Sequence, residues 1–241
     1  MHLMHPHQSV AFAEPQQLYE LPETIAPEAA ALISNMETVI NAIWDSELFY
    51  SAAQLKNKKV AIVGFGNIGA LLAVTLRKTC AVEPVIIEPD PWRRSKATEL
   101  GMTQFQADSD GTFDVIFHST GSESGLHWCL SRAAYEGVII DLSWYGTKQL
   151  SLSLGREFHY QRLRLISSQV SQIPGHKPQE SYHSRKVKCA ELLLDPVYQS
   201  LITAKIPFTQ SPQFFAQLRS QQLPNGLIWL FDYQNKDNTH V

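Results

Sequence analysis

Three cysteines, Cys80, Cys129 and Cys189, are all that this chain has, an odd number set far apart. They exclude a disulfide framework and a cysteine zinc site as organising devices. Neither sign of charge dominates: 20 Lys and Arg stand against 23 Asp and Glu, for a net charge of −3. So small an excess makes no electrostatic case for nucleic acid or for an anionic membrane as a partner. No apolar run approaches the roughly 20 residues that span a bilayer. The first residues also lack the charged start and apolar stretch of a signal peptide, so a cytoplasmic location is expected. No internal repeat or low-complexity tract is visible. What is left is an ordinary folding composition, 44% hydrophobic over 241 residues. That suffices for a sizeable core in one large domain, or in one domain plus a fragment.

The stretch VAIVGFGNIGALLAVTLRKTCAVEPVIIE, Val60 to Glu88, organises the rest. It opens with a buried-strand run, turns on Gly64, Gly66 and Gly69, enters a Leu- and Ala-rich helix, and closes with a second strand, Val85 to Ile87, followed by an acid. Each glycine has a separate task in such a turn: Gly64 permits the bend, Gly66 lets backbone approach a pyrophosphate, and Gly69 lets the helix pack closely on the strand. The turn residues Phe65, Asn67 and Ile68 complete the helix start, whose free N–H groups and dipole favour phosphate. Glu88 follows at the spacing of an adenosine-ribose acceptor. A glycine turn can also serve packing alone, but strand, helix and acid together favour a dinucleotide.

Residues 1–24 read as irregular, since their prolines and glutamines oppose a helix. His2, His5 and His7 could coordinate a metal, although a loose histidine-rich end is more often only that. Apolar residues return at helical spacing from Ala26 to Trp44, with Pro27 in the first turn. Asn41 to Ser51 continues or breaks this helix, and Gln54 to Lys59 reads as a linker. Beyond Glu88, PDPWRRSKATELGM predicts a turn and a helix ending at Gly101. Further strands are predicted at Phe113–His118, Gly137–Leu142 and Leu163–Ser168, with a helix at Ser124–Ala134. Alternating strands and helices imply a parallel, doubly wound α/β sheet with ligands at the strand carboxyl ends. Ser119, Thr120 and Gly121, Ser143 to Gly146, and Ser168 all fall there, and are read with Gly64 to Gly69 as one site; singly, each could be only a turn. Residues 171–180 read as a loop, Ser184–Leu194 and Ser211–Arg219 as helices, Gly226–Tyr233 as a strand, and the remainder as a polar tail.

With these segments in place, from LPETIAPEAAALISNMETVINAIW through VAIVGFGNIG, DVIFHSTGS and GVIIDLSWYG to PFTQSPQFFAQL and LIWLFDY, the chain resembles the medium-chain dehydrogenase/reductase family of zinc-type alcohol dehydrogenases. The resemblance runs from about Leu21 to Tyr233. It implies a Rossmann domain at 45–172, with a remnant of the catalytic domain contributed by both chain ends, 1–44 and 173–241. By resemblance Thr38 stands near the nicotinamide, and Ser119, Ser143 and Ser168 line the cofactor. An acid at Glu88 favours NAD over NADP, because it would repel a 2′-phosphate. Arg93 and Arg94 work against that preference, since either could meet such a phosphate. Family members commonly pair through the edge of this sheet, so a homodimer is expected, with the strand Leu163–Ser168 as the edge.

One departure bears on mechanism. The catalytic zinc ligands that the family draws from an N-terminal domain are not in this sequence, and near Ser34 to Glu37 only Glu37 could coordinate. Zinc is therefore not expected, and an active chain would move its proton through Glu37, His118 or Tyr145. Their bland counterparts are a solvated helix acid, a satisfied core histidine and a packing tyrosine. The expected activity is hydride transfer between a nicotinamide and a small alcohol or carbonyl substrate; the rival is a dinucleotide-binding module without catalysis. Tyr182 and Lys186 also match the Tyr-x-x-x-Lys spacing of short-chain dehydrogenases, with Ser168 upstream. Those enzymes start at a differently spaced glycine strand, so that match reads as chance.

Overall fold

Strand alternation decides the layering. Along β1 (Val60–Val63), Val60 and Ile62 join one buried cluster while Ala61 and Val63 join another, on opposite faces of one sheet. All four are buried, as in a central strand covered on both sides. The computed structural model describes residues 1–4, 6–8, 10–105, 111–220 and 222–233. Ahead of β1 come α1 (Pro27–Ala30), α2 (Ile33–Ser46) and α3 (Ala52–Leu55). After it follow α4 (Asn67–Cys80), β2 (Val85–Ile87), α5 (Pro91–Glu99), β3 (Thr103–Gln104), β4 (Phe113–His118), α6 (Glu123–Arg132) and β5 (Ala133–Asp141). The chain continues through α7 (Glu157–Tyr160), β6 (Arg164–Ser167), α8 (Tyr182–Leu192), α9 (Pro196–Gln199), β7 (Ile202–Pro207), α10 (Ser211–Arg219) and β8 (Ile228–Asp232).

The six-stranded sheet runs β3-β2-β1-β4-β5-β6 and its pairings are all parallel. This is the doubly wound Rossmann order, and it reverses between β1 and β4, leaving a crevice beyond their carboxyl ends. Ile40, Leu72 and Ala97, from α2, α4 and α5, pack with Val60, Ile62 and Phe117 on one face. Leu126, Cys129 and Leu130 of α6 cover Ala61, Val63 and Ile116 on the other. Among the described residues no helix is long and apolar enough to cross a membrane.

Several boundaries differ from the sequence reading. The helix expected over Ala26–Trp44 is two pieces, broken at residues 31–32, and the second runs on to Ser46. Pro27 sits at the first position of α1, where its missing N–H costs nothing. The expected linker, Gln54 to Lys59, overlaps the end of α3, which the Ser51 hydroxyl caps by accepting from the Gln54 N–H. β5 begins at Ala133 rather than Gly137, and α8 begins at Tyr182, two residues early, behind a Ser181 cap. Two strands escaped the reading. β3 is only two residues long. β7 lies in ITAKIP, whose Lys and Pro hide its alternation, yet it pairs in parallel with β8 as a separate two-stranded sheet. His5 and the polar tail, 234–241, lie outside the described residues.

The first residues contact the described C-terminal part. The His2 backbone bridges Tyr19, and the His7 Nδ1 lies 2.6 Å from the Tyr233 hydroxyl. His2 itself pairs with the Ser34 hydroxyl at 3.1 Å, so His2 and His7 are engaged with separate partners.

Besides apolar packing, the leading helix and the C-terminal part are joined by ion pairs. Glu37 on α2 is buried, not solvated as expected, and its Oε1 accepts from the Nε and Nη2 of buried Arg185 at 3.4 Å each. Its Oε2 accepts from Lys186 Nζ at 2.5 Å, while Arg185 Nη1 donates to Asn41 Oδ1 at 2.7 Å. Removing one member of such a set strands a buried charge. Glu37→Leu is therefore expected to lower unfolding free energy by about 3–5 kcal/mol in urea titration, with much of the loss recovered in Glu37→Leu/Arg185→Met.

Candidate functional site

At the end of β1 the backbone is under tight constraint. Gly64 has φ +100°, which a side chain strongly opposes, and a β-carbon on Gly69 would lie 2.0 Å from the Gly64 carbonyl oxygen. α4 can therefore approach the turn this closely only with glycine at 69. Gly66 is the opposite case, since a β-carbon there would meet only Arg93 Nη1, at 3.7 Å. It stands open on the side of the crevice, and α4 begins from it with no side-chain cap. The first N–H groups of α4 thus remain free of side-chain acceptors, as an anion site requires. Beside them the Asn67 Oδ1 is buried without a partner. Because an amide can present oxygen or nitrogen by rotation, that position can accept from or donate to a ligand.

Glu88, just past β2, holds the turn in place. Its Oε2 accepts from the Phe65 N–H at 2.6 Å and its Oε1 from the Asp90 N–H at 2.9 Å, with the residue almost fully buried. Asp90 in turn caps α5 by accepting from the Arg93 N–H at 2.8 Å. The two arginines separate here. Arg94 Nη1 donates to the carbonyls of Glu88 and Pro89, at 3.1 and 2.6 Å, so it braces backbone. Arg93 lies over Gly66 and, with Asp90, Trp92 and Trp229, lines a cavity of about 280 Å³ walled on its far side by the C-terminal loop.

The remaining strand ends are stitched to this turn and to each other. Ser119 Oγ donates to the carbonyls of Val63 and Gly64, at 3.2 and 3.3 Å. The Gly121 N–H donates to Ser143 Oγ at 3.1 Å, and the Ser168 N–H to the Asp141 carbonyl at 2.9 Å. The small polar clusters after β1, β4, β5 and β6 are therefore one contiguous rim. Thr38 stands apart from these links on α2, its hydroxyl 3.5 Å from the Ser34 carbonyl. One turn on, Asn41 Nδ2 donates to the Gln169 carbonyl at 3.3 Å, which draws α2 to the end of β6.

His118, the last residue of β4, is wholly buried beneath the rim. Its Nδ1 lies 3.0 Å from Asp141 Oδ1 and its Nε2 2.7 Å from Thr120 Oγ1. Tyr145 donates to Asp141 Oδ2 at 3.0 Å, and the Ser143 N–H to Asp141 Oδ1 at 2.9 Å. Burial alone would raise the Asp141 carboxyl, but the hydrogen bonds from His118 and the Ser143 N–H together hold it below its ordinary value. For Tyr145, burial and then the Asp141 charge push the phenol well above its usual range. A phenol so raised is a weak acid, poorly suited to giving up its proton.

Of the three proton-transfer candidates, His118 and Tyr145 come together and Glu37 does not, being committed to Arg185 and Lys186. Among the described residues no three His, Cys, Asp or Glu side chains gather as metal ligands. The Tyr182–Lys186 pair does not form a site: Tyr182 donates to the Ser171 carbonyl and Lys186 to Glu37. Sequence reading missed Asp141. Its signal was present, an acid closing the apolar run GVIID, but an acid at a strand end acquires a role only beside a partner from another strand.

No family model matches the chain. Its sequence is 24% identical over 171 residues to L-idonate 5-dehydrogenase (NAD(P)(+)) of Escherichia coli K12, covering 66% of this chain and 46% of that protein. It is 26% identical over 179 residues to D-guloside 3-dehydrogenase of the same organism, covering 67% and 51%. The chain thus spans about half the length of the curated relatives it matches. Among solved structures, L-idonate 5-dehydrogenase of E. coli K-12 superposes with a TM-score of 0.71 at 19% identity, over 92% of this chain and 61% of that one. A short chain alcohol dehydrogenase of E. coli CFT073 complexed with NADH gives 0.68 at 15% identity, over 91% and 63%.

The Asp141 geometry carries a pH consequence. A carboxyl held lower in the folded chain than its ordinary 3.8 adds stability that is present above that value and lost as pH falls through the folded one. Asp141→Asn is expected to cost about 2 kcal/mol at pH 7. In urea titrations the difference from wild type should shrink steadily below pH 3.8; a difference constant down to pH 2 would contradict the assignment.

Proposed function

We propose that this chain, which is similar to L-idonate 5-dehydrogenase (NAD(P)(+)) and D-guloside 3-dehydrogenase and spans about half of their length, is an NAD(P)-binding oxidoreductase of the zinc-type alcohol dehydrogenase kind, acting on a small alcohol or carbonyl compound. The single observation that carries the reading is the start of α4: an uncapped helix N-terminus behind Gly66, with Gly64 and Gly69 sterically required and Gly66 left open. That arrangement has free N–H donors, the positive end of a helix dipole, and room for a pyrophosphate.

Gly64, Phe65, Gly66, Asn67, Ile68 and Gly69 would hold the pyrophosphate. Glu88 would accept from the adenosine ribose: each carboxylate oxygen already takes one backbone N–H, and each has a second lone pair. Thr38, Ser119, Thr120, Gly121, Ser143 and Ser168 would line the nicotinamide half. The bound nicotinamide supplies the hydride acceptor or donor; the chain's own part is to orient it, exclude water and handle the substrate proton. NAD is the expected cofactor because of the Glu88 charge, while Arg93 offers a 2′-phosphate a cation facing the turn. Residues 1–44 and 173–241, which meet at the His7–Tyr233 contact, would be the catalytic-domain part. A cytoplasmic homodimer paired along β6, the sheet edge, completes the reading.

The second reading, a dinucleotide-binding module without catalysis, is favoured by one observation: both oxygens of Glu37 are already taken by cations, so it is not free as a ligand or base.

Titration with NADH and NADPH, followed by nicotinamide fluorescence, tests the cofactor site. Saturable binding is expected, with Gly66→Asp weakening it about 100-fold, or roughly 2.7 kcal/mol, at unchanged thermal stability. Arg93→Ala should weaken NADPH more than NADH. Absence of binding for both nucleotides would remove the oxidoreductase reading. Sedimentation at micromolar concentration checks the dimer.

A further inference from the structure

For a neutral His118 imidazole, the hydrogen bonds around it leave one placement of its proton. Asp141, as a carboxylate, can only accept, so the imidazole proton sits on Nδ1 and points at Asp141 Oδ1. Nε2 is then an acceptor and takes the hydroxyl proton of Thr120 at 2.7 Å. Thr120 Oγ1 accepts from the Ser122 N–H at 3.1 Å and lies 2.8 Å from Ser122 Oγ. Ser122 Oγ in turn accepts from the Gly125 N–H at 3.0 Å as the cap of α6. The result is a chain of donors aimed inward, from the hydroxyl of an exposed residue through a wholly buried imidazole to a carboxylate.

Two further observations set this apart from an ordinary satisfied core histidine. The first is Gly125, where a β-carbon would lie 2.5 Å from Thr120 Oγ1, 2.7 Å from His118 Nε2 and 2.9 Å from Ser122 Oγ. Only glycine in α6 lets those three atoms converge. The second is position. Thr120 is exposed, and its Cγ2 would be 2.9 Å from a β-carbon on Gly64, which puts it on the wall of the β1/β4 crevice, on the β4–β6 half of the sheet. In doubly wound folds ligands bind in that crevice.

We propose that Thr120, His118 and Asp141 form a proton relay that takes the hydroxyl proton of an alcohol bound in the crevice. This deepens the oxidoreductase reading and rests on it. In oxidation, the substrate O–H breaks and its proton passes to Thr120 Oγ1 as the Thr120 proton passes to His118 Nε2. The carbinol C–H electron pair leaves as hydride to the oxidised nicotinamide, and the C=O bond forms. The resulting imidazolium is held by Asp141, and its proton returns through Thr120 to water after product leaves. Thr120 is the residue that meets the substrate; His118 and Asp141 position and charge-balance it. Tyr145, bonded to Asp141 Oδ2, fixes the carboxylate orientation.

The test combines a readout on the cofactor-free chain with turnover. Histidine-selective ¹⁵N NMR should show His118 protonated on Nδ1 and unprotonated on Nε2, with the Nε2 resonance moving in Thr120→Val and restored in Thr120→Ser. A proton on Nε2 overturns the proposal. With saturating NAD or NADP and a panel of 2,3-butanediol, sorbitol and ethanol, Thr120→Val should lower kcat about 100-fold while the chain still binds NADH, and Thr120→Ser should recover most of it. Gly125→Ala, which crowds the relay from behind, should follow Thr120→Val in kcat while still binding NADH. Unchanged kcat in Thr120→Val overturns the relay, as does a wild-type chain that binds nucleotide yet oxidises none of the panel. Loss of nucleotide binding in wild type is the separate failure of the cofactor reading.

Discussion

The structure hangs on the Glu88 carboxylate. It is almost buried, and it spends one oxygen on the Phe65 N–H and the other on the Asp90 N–H. Charge-assisted bonds of this kind are roughly twice as strong as neutral ones. They tie the turn after β1 to the turn after β2, so the glycine loop cannot swing away from the sheet. With the loop fixed, Gly69 meets the Gly64 carbonyl and α4 takes its angle from that contact. The start of α5 follows, because Asp90, positioned by Glu88, is its cap. One acid thus sets two helix starts and the mouth of the crevice between them.

A second set of buried charges fixes what lies around the sheet. Glu37, Asn41 and Arg185 join α2 to α8, and Asn41 also reaches the end of β6. Desolvating these groups is costly, so the net is a weak source of stability but a strong source of alignment: a shifted register would leave a bare charge inside. It also engages both carboxylate oxygens of Glu37. The acid that resemblance singles out for chemistry is held by two cations from a helix about 150 residues further on, a sequence distance at which no local pattern gives warning.

The third polar cluster, around His118, is buried on one side and opens to the crevice on the other. Its members come from consecutive strand ends, β4 and β5, held in register by the parallel pairing of His118 with Asp141. Placing an imidazole and a carboxylate side by side in low dielectric strengthens their bond and also makes the partner-free state expensive. Thr120 carries that arrangement to the surface through a hydroxyl.

Sequence alone determined the local grammar. Gly64, Gly66 and Gly69, the apolar runs at 60–63, 85–87 and 113–118, and the acid after β2 specify strand, turn and helix because each relies on backbone sterics and periodicity within about 30 residues. The helix at Ser211–Arg219 was equally legible, with Pro at its second position. Tertiary structure alone decided the rest: that Glu88 clasps two N–H groups, that Arg93 faces the turn while Arg94 braces backbone, and that Asp141 meets His118. It also decided that β7 is a strand, through pairing with β8 rather than through any alternation of its own. In each case the partner lies on another element. A hydrogen bond or ion pair depends on where two side chains end up, and that is set by sheet order and helix packing, not by the residues beside either one.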